Sequence, residues 1–400
     1  MKRLVVVLLG CCLPCLLWAQ TSLDRDHVID TTGKKDLGDV FRSVFGLKPS
    51  TPAPPDKHSV YFSIFPSSSN QGGGRTFFTS TTAGFYTGDP ETTYISSITF
   101  APYFNLKARY GLPLRSGIWL KDNSWYIMGD TRFMVYPQNT WGLGGNHPSS
   151  NKLLLNYKYV RLYQSALKRI TSYFFAGLGY NLDYHIDMET NNVSLWHFTH
   201  YRYGTSPDQN TISSGMNVNL LYDTRNNDID PMPGCYANLV YRYNPTFMGS
   251  TSRWTSLYLD LRKYVSLTHD SHKNMLAFWT YYWTSLSGNV PYLDLPSIGW
   301  DAYQRSGRGI PQNRYRGNSL IYLETEYRRD ITSNGMFGFV VFSNVSSVNE
   351  QNSKSFKFWH PAGGAGLRVK LNKNSNTNVG LDYAFSRDYA TVNLNVGEAF

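Results

Sequence analysis

FFAGLGYNLDYH, residues Phe174–His185, alternates with a period of two. Phe174, Ala176, Leu178, Tyr180, Leu182 and Tyr184 fall on one face; Gly177, Gly179, Asn181 and Asp183 fall on the other. Alternate residues of a strand share a face, so this run predicts a β-strand with one apolar and one polar side. The pattern recurs. Leu257, Leu259 and Leu261 oppose Tyr258, Asp260 and Arg262; Leu367, Val369 and Leu371 oppose Arg368 and Lys370; Val379, Leu381, Tyr383 and Phe385 oppose Asn378, Gly380 and Asp382. Bounded by turn residues, sixteen such runs begin near Ser59, Thr76, Thr93, Ala108, Trp125, Leu153, Tyr173, Ser213, Cys235, Thr255, Asn274, Ser319, Met336, Ala365, Asn376 and Thr391. The runs from Leu153 and Met336 are more uniformly apolar.

Any one run fits a strand of a soluble sandwich; the connections discriminate. The odd-numbered ones hold the long inserts: Pro137–Lys152, Asp187–Thr211, Asn289–Asn318 and Asn344–His360. Even-numbered ones, such as Ser266–Lys273, Asp330–Gly335 and Asn372–Ser375, are short. Transmembrane barrels have short turns at one end, long loops at the other and an even strand count. Aromatic residues make up 16% of the 400 and charged residues only 16%, with no apolar run of 18 beyond the first residues. That excludes a spanning helix and suits aromatic girdles. The fold read from the sequence is all-β, a 16-stranded antiparallel transmembrane β-barrel over residues 58–400.

The first residues, MKRLVVVLLGCCLPCLLWAQ, combine a basic head, an apolar core and Ala19, and read as a signal peptide over 1–19. Leu8–Cys11 resembles a lipoprotein box, but more apolar residues follow where a polar tether is usual. Cys11, Cys12 and Cys15 fall in this leader, and Cys235 is the fourth cysteine; after cleavage neither an intramolecular disulfide nor a cysteine zinc site can form. The formal charge of +10 falls to +8 without Lys2 and Arg3, 38 basic residues less two against 28 acidic. That charge is diluted along the chain, and export argues against nucleic acid; outer-membrane lipids and lipopolysaccharide are the expected counter-charge. Residues 20–57 form a short periplasmic segment. In it Leu37, Val40, Phe41, Val44 and Phe45 have the spacing of an amphipathic helix, followed by a proline-rich tether. Such a helix could lie on the inner leaflet, plug the periplasmic mouth or dock a partner.

SGRGIPQNRYRGNSLIYLETEYRRD, Ser306–Asp330, sets Arg308, Arg314 and Arg316 in a glycine-punctuated loop, followed by Glu324, Glu326 and Arg328 on one strand face. A charge toward lipid costs about 2–4 kcal/mol at the midplane, so this face must be luminal. Arginine pairs with carboxylates through a planar fork, so the loop arginines have acceptors to find.

SGRGI, the strand GNSLIYLETEYRRDI, the turn YDTRNNDIDPMPG (Tyr222–Gly234) and the glycine-rich AGGAGLRVKL (Ala362–Leu371) together resemble the BamA/TamA-type bacterial surface antigen barrels of outer-membrane assembly and translocation. The resemblance implies that the loop after strand eleven folds inward and locks in the barrel. Arg308, Gly309 and Ile310 would form its tip, Ile310 replacing the usual aromatic. Glu326 and Glu324 would receive the arginine; Asn344 stands where an aspartate is usual and would accept from the guanidinium without contributing charge. Asp223, Arg225, Pro231 and Gly234 match the family's turn between strands eight and nine. TVNLNVGEAF looks like a C-terminal barrel signal, with Val392, Leu394, Val396 and Phe400 sharing a face and Glu398 interrupting it. Relatives carry periplasmic POTRA repeats; residues 20–57 are too short for one.

What the resemblance implies is a Gram-negative outer-membrane barrel, both termini periplasmic, assisting insertion or translocation of protein or lipid. Nascent outer-membrane proteins and periplasmic or lipoprotein partners are implied with it. A passive pore or surface antigen is the alternative. Strand sixteen should pair poorly with strand one, because Gly397 and Glu398 break its pattern. No enzyme is expected. Asp183 and His185 share a face, as in outer-membrane proteases, and His197 and His200 follow, but no Gly-x-Ser-x-Gly, phosphate loop or nucleophile accompanies them. No metal or cofactor is expected either.

Overall fold

The computed structural model describes residues 33–48, 60–69, 76–105, 109–191, 193–206, 210–225, 230–231, 233–268, 273–302 and 304–400. The expected leader and most of the tether lie outside them. Among the described residues, one antiparallel sheet of 18 strands dominates. Its strands are β1 (Val60–Ser69), β2 (Thr76–Phe85), β3 (Ser96–Phe100), β4 (Tyr103–Asn105), β5 (Tyr110–Trp119), β6 (Trp125–Val135) and β7 (Gln138–Thr140). After them come β8 (Leu153–Arg169), β9 (Phe174–Thr190), β10 (Thr211–Asp223), β11 (Gly234–Asn244), β12 (Trp254–Ser266) and β13 (Asn274–Ser285). The last five are β14 (Ser319–Asp330), β15 (Phe337–Val348), β16 (His360–Asn372), β17 (Thr377–Ser386) and β18 (Ala390–Val396). A short helix, α1 (Leu37–Val44), precedes them, and α2 (Leu195–Thr199) lies between β9 and β10.

Eighteen strands make sixteen staves, because β3 with β4 and β6 with β7 are each one stave broken in two. β3 and β4 both pair with β2 and β5; β6 and β7 both pair with β8. Pro102 and Pro137 sit at the breaks, where a residue without an N–H cannot continue a ladder. Strand starts fall within three residues of the sequence reading except in β16, which begins at His360 rather than Ala365. Its first half, HPAGG, has no apolar alternation to read. Gly364 leaves room for a ring: a Cβ there would lie 2.6 Å from the tip of Phe342.

The usual inside and outside are inverted. Leu178, Phe62 and Leu367 are 68%, 62% and 59% exposed, whereas Asp183, Glu326 and Arg328 are 1%, 0% and 1% exposed. Apolar residues on the outer surface with charges inside suit lipid outside and a polar lumen. The start of β1 and the end of β18 fall at one end of the sheet, here the terminal end, with the short turns; the long loops 141–152, 191–210 and 286–318 gather at the far end. There Leu195 of α2, Tyr201, Trp254, Tyr292 and Leu295 form an apolar cluster with Leu155.

The sheet curls until β1 and β18 approach within 8 Å between Cα atoms, yet among the described residues no ladder joins them. β1 instead meets the turn after β16: the Asn372 side-chain amide donates to the Phe62 carbonyl at 3.4 Å, and the Ser63 and Ser375 hydroxyls lie 3.5 Å apart.

Candidate functional site

The loop after β13 enters the lumen with Arg308 at its tip. Gly307 and Gly309 flank it at φ 76° and 87°, a left-handed backbone that side chains disfavour, and the Ile310 N–H closes the turn onto the Gly307 carbonyl at 2.7 Å. A Cβ on Gly309 would lie 2.9 Å from the Phe385 backbone nitrogen and oxygen, so the tip rests directly against β17. Ile310, where an aromatic is usual, packs among buried apolar residues.

The guanidinium of Arg308 donates through Nη2 to both Glu324 and Glu326 of β14, and through Nη1 to Asp382 of β17 at 3.1 Å. Its Cζ stands 3.5 Å above the centroid of the Phe342 ring. The two glutamates that the resemblance implied are thus both partners. Asp382 is a third, which sequence reasoning missed although the alternation of β17 had put it on the polar face. Asn344 differs from expectation. It does not accept from the guanidinium: its side-chain amide donates to the Arg308 backbone carbonyl at 3.0 Å. The guanidinium is turned toward three carboxylates, so the Asn344 side chain meets only the backbone of the tip.

The other loop arginines hold the base of the loop. Arg316 donates to the Tyr292 carbonyl at 2.7 Å and to the Asn313 side chain at 2.8 Å; Arg314 donates to the His147 carbonyl across the far-end loops.

A second group of charges adjoins the tip. Arg368 donates to Asp382 at 2.5 Å and to Glu398 at 2.8 Å, and Arg328 donates to Glu326 at 2.6 Å and to the Phe400 carbonyl at 2.9 Å. Three guanidinium groups (Arg308, Arg328 and Arg368) thereby share the space with four carboxylates (Glu324, Glu326, Asp382 and Glu398). Such pairs offset desolvation only when geometry and further hydrogen bonds are good; Tyr322, Asn378 and Asn395 supply those, donating to Glu324, Glu398 and Asp382.

The C-terminus corrects the sequence reading. Val392, Leu394 and Val396 alternate in β18, but Phe400 does not share their face. Gly397 takes φ 79° and turns the tail inward. Phe400 is 4% exposed and packs against Trp279 and Tyr264 with ring centroids 5.2 and 6.2 Å away. Glu398, read as an interruption, is the buried partner of Arg368. Arg305, from the same loop as Arg308, donates to the Val396 carbonyl at 2.7 Å and to the Glu398 carbonyl. Loop and tail are therefore held by one network.

The turn after β10 brings Asp223, Arg225 and Gly234 together. Asp223 accepts from the Arg225 side chain at 3.1 and 2.8 Å. A Cβ on Gly234 would meet the Thr224 carbonyl oxygen at 2.9 Å, and Pro231 is buried. Asp230, which sequence reading did not single out, reaches furthest: it pairs with Lys273, lies 3.5 Å from Lys370 and accepts from Asn378 at 3.2 Å.

α1 forms as its spacing required. Asp36 and Asp39 build a reciprocal capping box, and Leu37, Val40, Phe41, Val44 and Phe45 are all exposed. No residue of the helix is buried, so it is not seated as a plug in the mouth. Elsewhere in the lumen, Asp183 accepts from Tyr159, Tyr163, Arg161 and Arg242, which leaves it no acceptor geometry for a proton in flight. Burial and the neighbouring Asp183 carboxylate push Asp294, at the loop base, up to about 7.

Residues 130–400 match the model of the Omp85 superfamily domain. The chain belongs to the Omp85 superfamily. CdiB from Acinetobacter baumannii is similar in structure, with a TM-score of 0.57 and 13% identity over 86% of this chain and 60% of that one. CdiB from Escherichia coli gives 0.55 and 11%, over 87% and 62%. BamA from Haemophilus ducreyi, in a form lacking POTRA domains 1–3, gives 0.52 and 14%, over 86% and 70%. The chain thus spans 60–70% of the length of these Omp85 structures. Curated protein sequences give no significant match. The chain is thus an Omp85-superfamily outer-membrane β-barrel.

Proposed function

We propose that this Omp85 barrel lowers the barrier to inserting a protein into the outer membrane, or passing one across it, at the seam between β1 and β18. The observation that carries the reading is the state of that seam. β18 stops at Val396, the next residues turn into the lumen, and the described residues of β1 form no ladder with it. Unpaired strand edges in lipid are costly and ready to accept another strand; a substrate strand is the natural ligand for them. The apolar packing of the far-end loops around Trp254 and Tyr292 supports this reading over a passive pore.

On this reading both termini are periplasmic, lipids and lipopolysaccharide surround the outer face, and nascent outer-membrane proteins are the cargo, with periplasmic or lipoprotein partners delivering them. The saturated Asp183 supports a structural rather than catalytic lumen, so no enzyme activity is expected. The test is to reconstitute the purified chain in liposomes and time the folding of an added unfolded outer-membrane barrel against empty vesicles. Acceleration is expected. Equal rates, together with single-channel conductance in a planar bilayer, would overturn the reading in favour of a pore.

A further inference from the structure

We infer that α1 is an interfacial anchor: its apolar face lies in the phospholipid leaflet at the terminal end of the barrel, and its polar N-terminus is pinned to the rim. The pinning is explicit. Lys373, in the turn after β16, donates its backbone N–H to Asp36 at 3.0 Å and its side-chain amine to Asp39 at 2.7 Å. The Lys35 N–H donates to the Asn334 carbonyl in the turn after β14, also at 3.0 Å. These contacts are polar and made at the start of the helix, and among the described residues no protein covers the apolar face. An eight-residue helix is marginal alone in water, and a buried apolar face is the usual source of its stability.

Three features point to lipid as the occupant. The apolar face continues the barrel's own lipid-facing surface, because the turn that holds Lys35 carries Ile331 at 60% exposure and leads into Phe337 at 45%. Phe41 and Phe45 stand with ring centroids 4.4 Å apart and form an aromatic ridge, a group suited to the headgroup–acyl boundary. Charge is complementary as well. Asp36 and Asp39 are engaged by the cap and by Lys373, which leaves Lys34, Lys35, Arg42 and Lys48 to face anionic headgroups.

The test uses the full chain with all other cysteines changed to serine, labelled with an environment-sensitive fluorophore at Phe45→Cys or, as the polar-face control, Ser43→Cys. Each is reconstituted in vesicles of zwitterionic phospholipid containing a fraction of anionic phospholipid. Expected is a blue-shifted label at position 45, quenched several-fold more by lipids nitroxide-labelled near the headgroup than the label at 43. Removing the anionic lipid should weaken that difference. A water-exposed spectrum at both positions, or equal quenching at both, overturns the inference. The Lys373→Ala variant keeps the test sharp: loss of quenching at 45 with the barrel still heat-modifiable on gels is expected, since an unpinned helix leaves the rim.

Discussion

On the wall built by β5–β12, the buried arginines pair with carboxylates of the wall itself, Arg161 and Arg242 with Asp183 of β9 and the others within their own strand. Arg132 binds Asp130 at 2.7 and 2.6 Å, and Arg262 binds Asp260 at 3.0 and 2.7 Å, each two residues apart. Alternate residues already share a face, so such pairs mainly stiffen the staves, with Arg132 also donating to the Ala302 carbonyl of the loop at 2.8 Å. A cavity of about 310 Å³ lies in front of this wall. On the wall built by β14–β18 the charges pair across elements: loop to β14 and β17, β16 to the tail, loop to β18. One wall is a lining and the other is a latch. The same residue types serve both, and the difference lies in whether the partner belongs to a segment that can leave.

Breaking one pair on each wall tests this. Arg308→Ala leaves Glu324, Glu326 and Asp382 to share what remains, and should cost about 3–5 kcal/mol. Protease access to 286–318 should rise steeply. Arg262→Ala leaves Asp260 beside the cavity with the Trp279 indole still donating at 3.0 Å, and should cost about 1–2 kcal/mol with no change in loop protection. Equal protease sensitivity in the two variants would erase the distinction. A smaller effect sharpens it. Arg305→Ala removes the two donors to the Val396 and Glu398 carbonyls but spares Arg308. The tail should then become accessible to carboxypeptidase while the loop stays protected. Concerted exposure of both would mean that loop and tail are one unit rather than two joined by Arg305.

The sequence exposes the parts of this architecture that repeat. Period-two alternation yields the staves, and the sorting of long loops to one end yields the barrel, because lipid outside forces every inward charge onto one face. The SGRGI motif and the glutamates of β14 mark half of the latch. Its other half was illegible for a physical reason: Asp382 and Glu398 are inward acidic residues like many others until curvature brings β17 and the tail beside the loop. Phe400 misled for the same reason. Alternation predicts its face only while the strand continues, and one positive-φ glycine ends the strand at Val396, four residues before Phe400. Asp230 depends on a turn leaning inward, which no periodicity records.

The weakest expected effect concerns the hinge of the latch rather than its tip. Asp294, in the short helical turn Tyr292–Asp294, accepts from the Ser213 hydroxyl at 2.6 Å and lies 3.9 Å from the His185 ring nitrogen. Asp183, Arg161 and Arg242 face it from the staves behind. Burial, reinforced by Asp183, raises its pKa to about 7, above the ordinary carboxylate value. A carboxyl whose folded pKa is raised favours the folded state while protonated, and that contribution fades as pH rises through the folded pKa. The loop base should therefore loosen as pH passes upward through about 7, read as faster hydrogen exchange in 290–300 with the tip around Arg308 still protected. Asp294→Asn should flatten the profile, since the amide never ionises. A profile in which tip and base loosen together would show that the hinge and the latch are not separable.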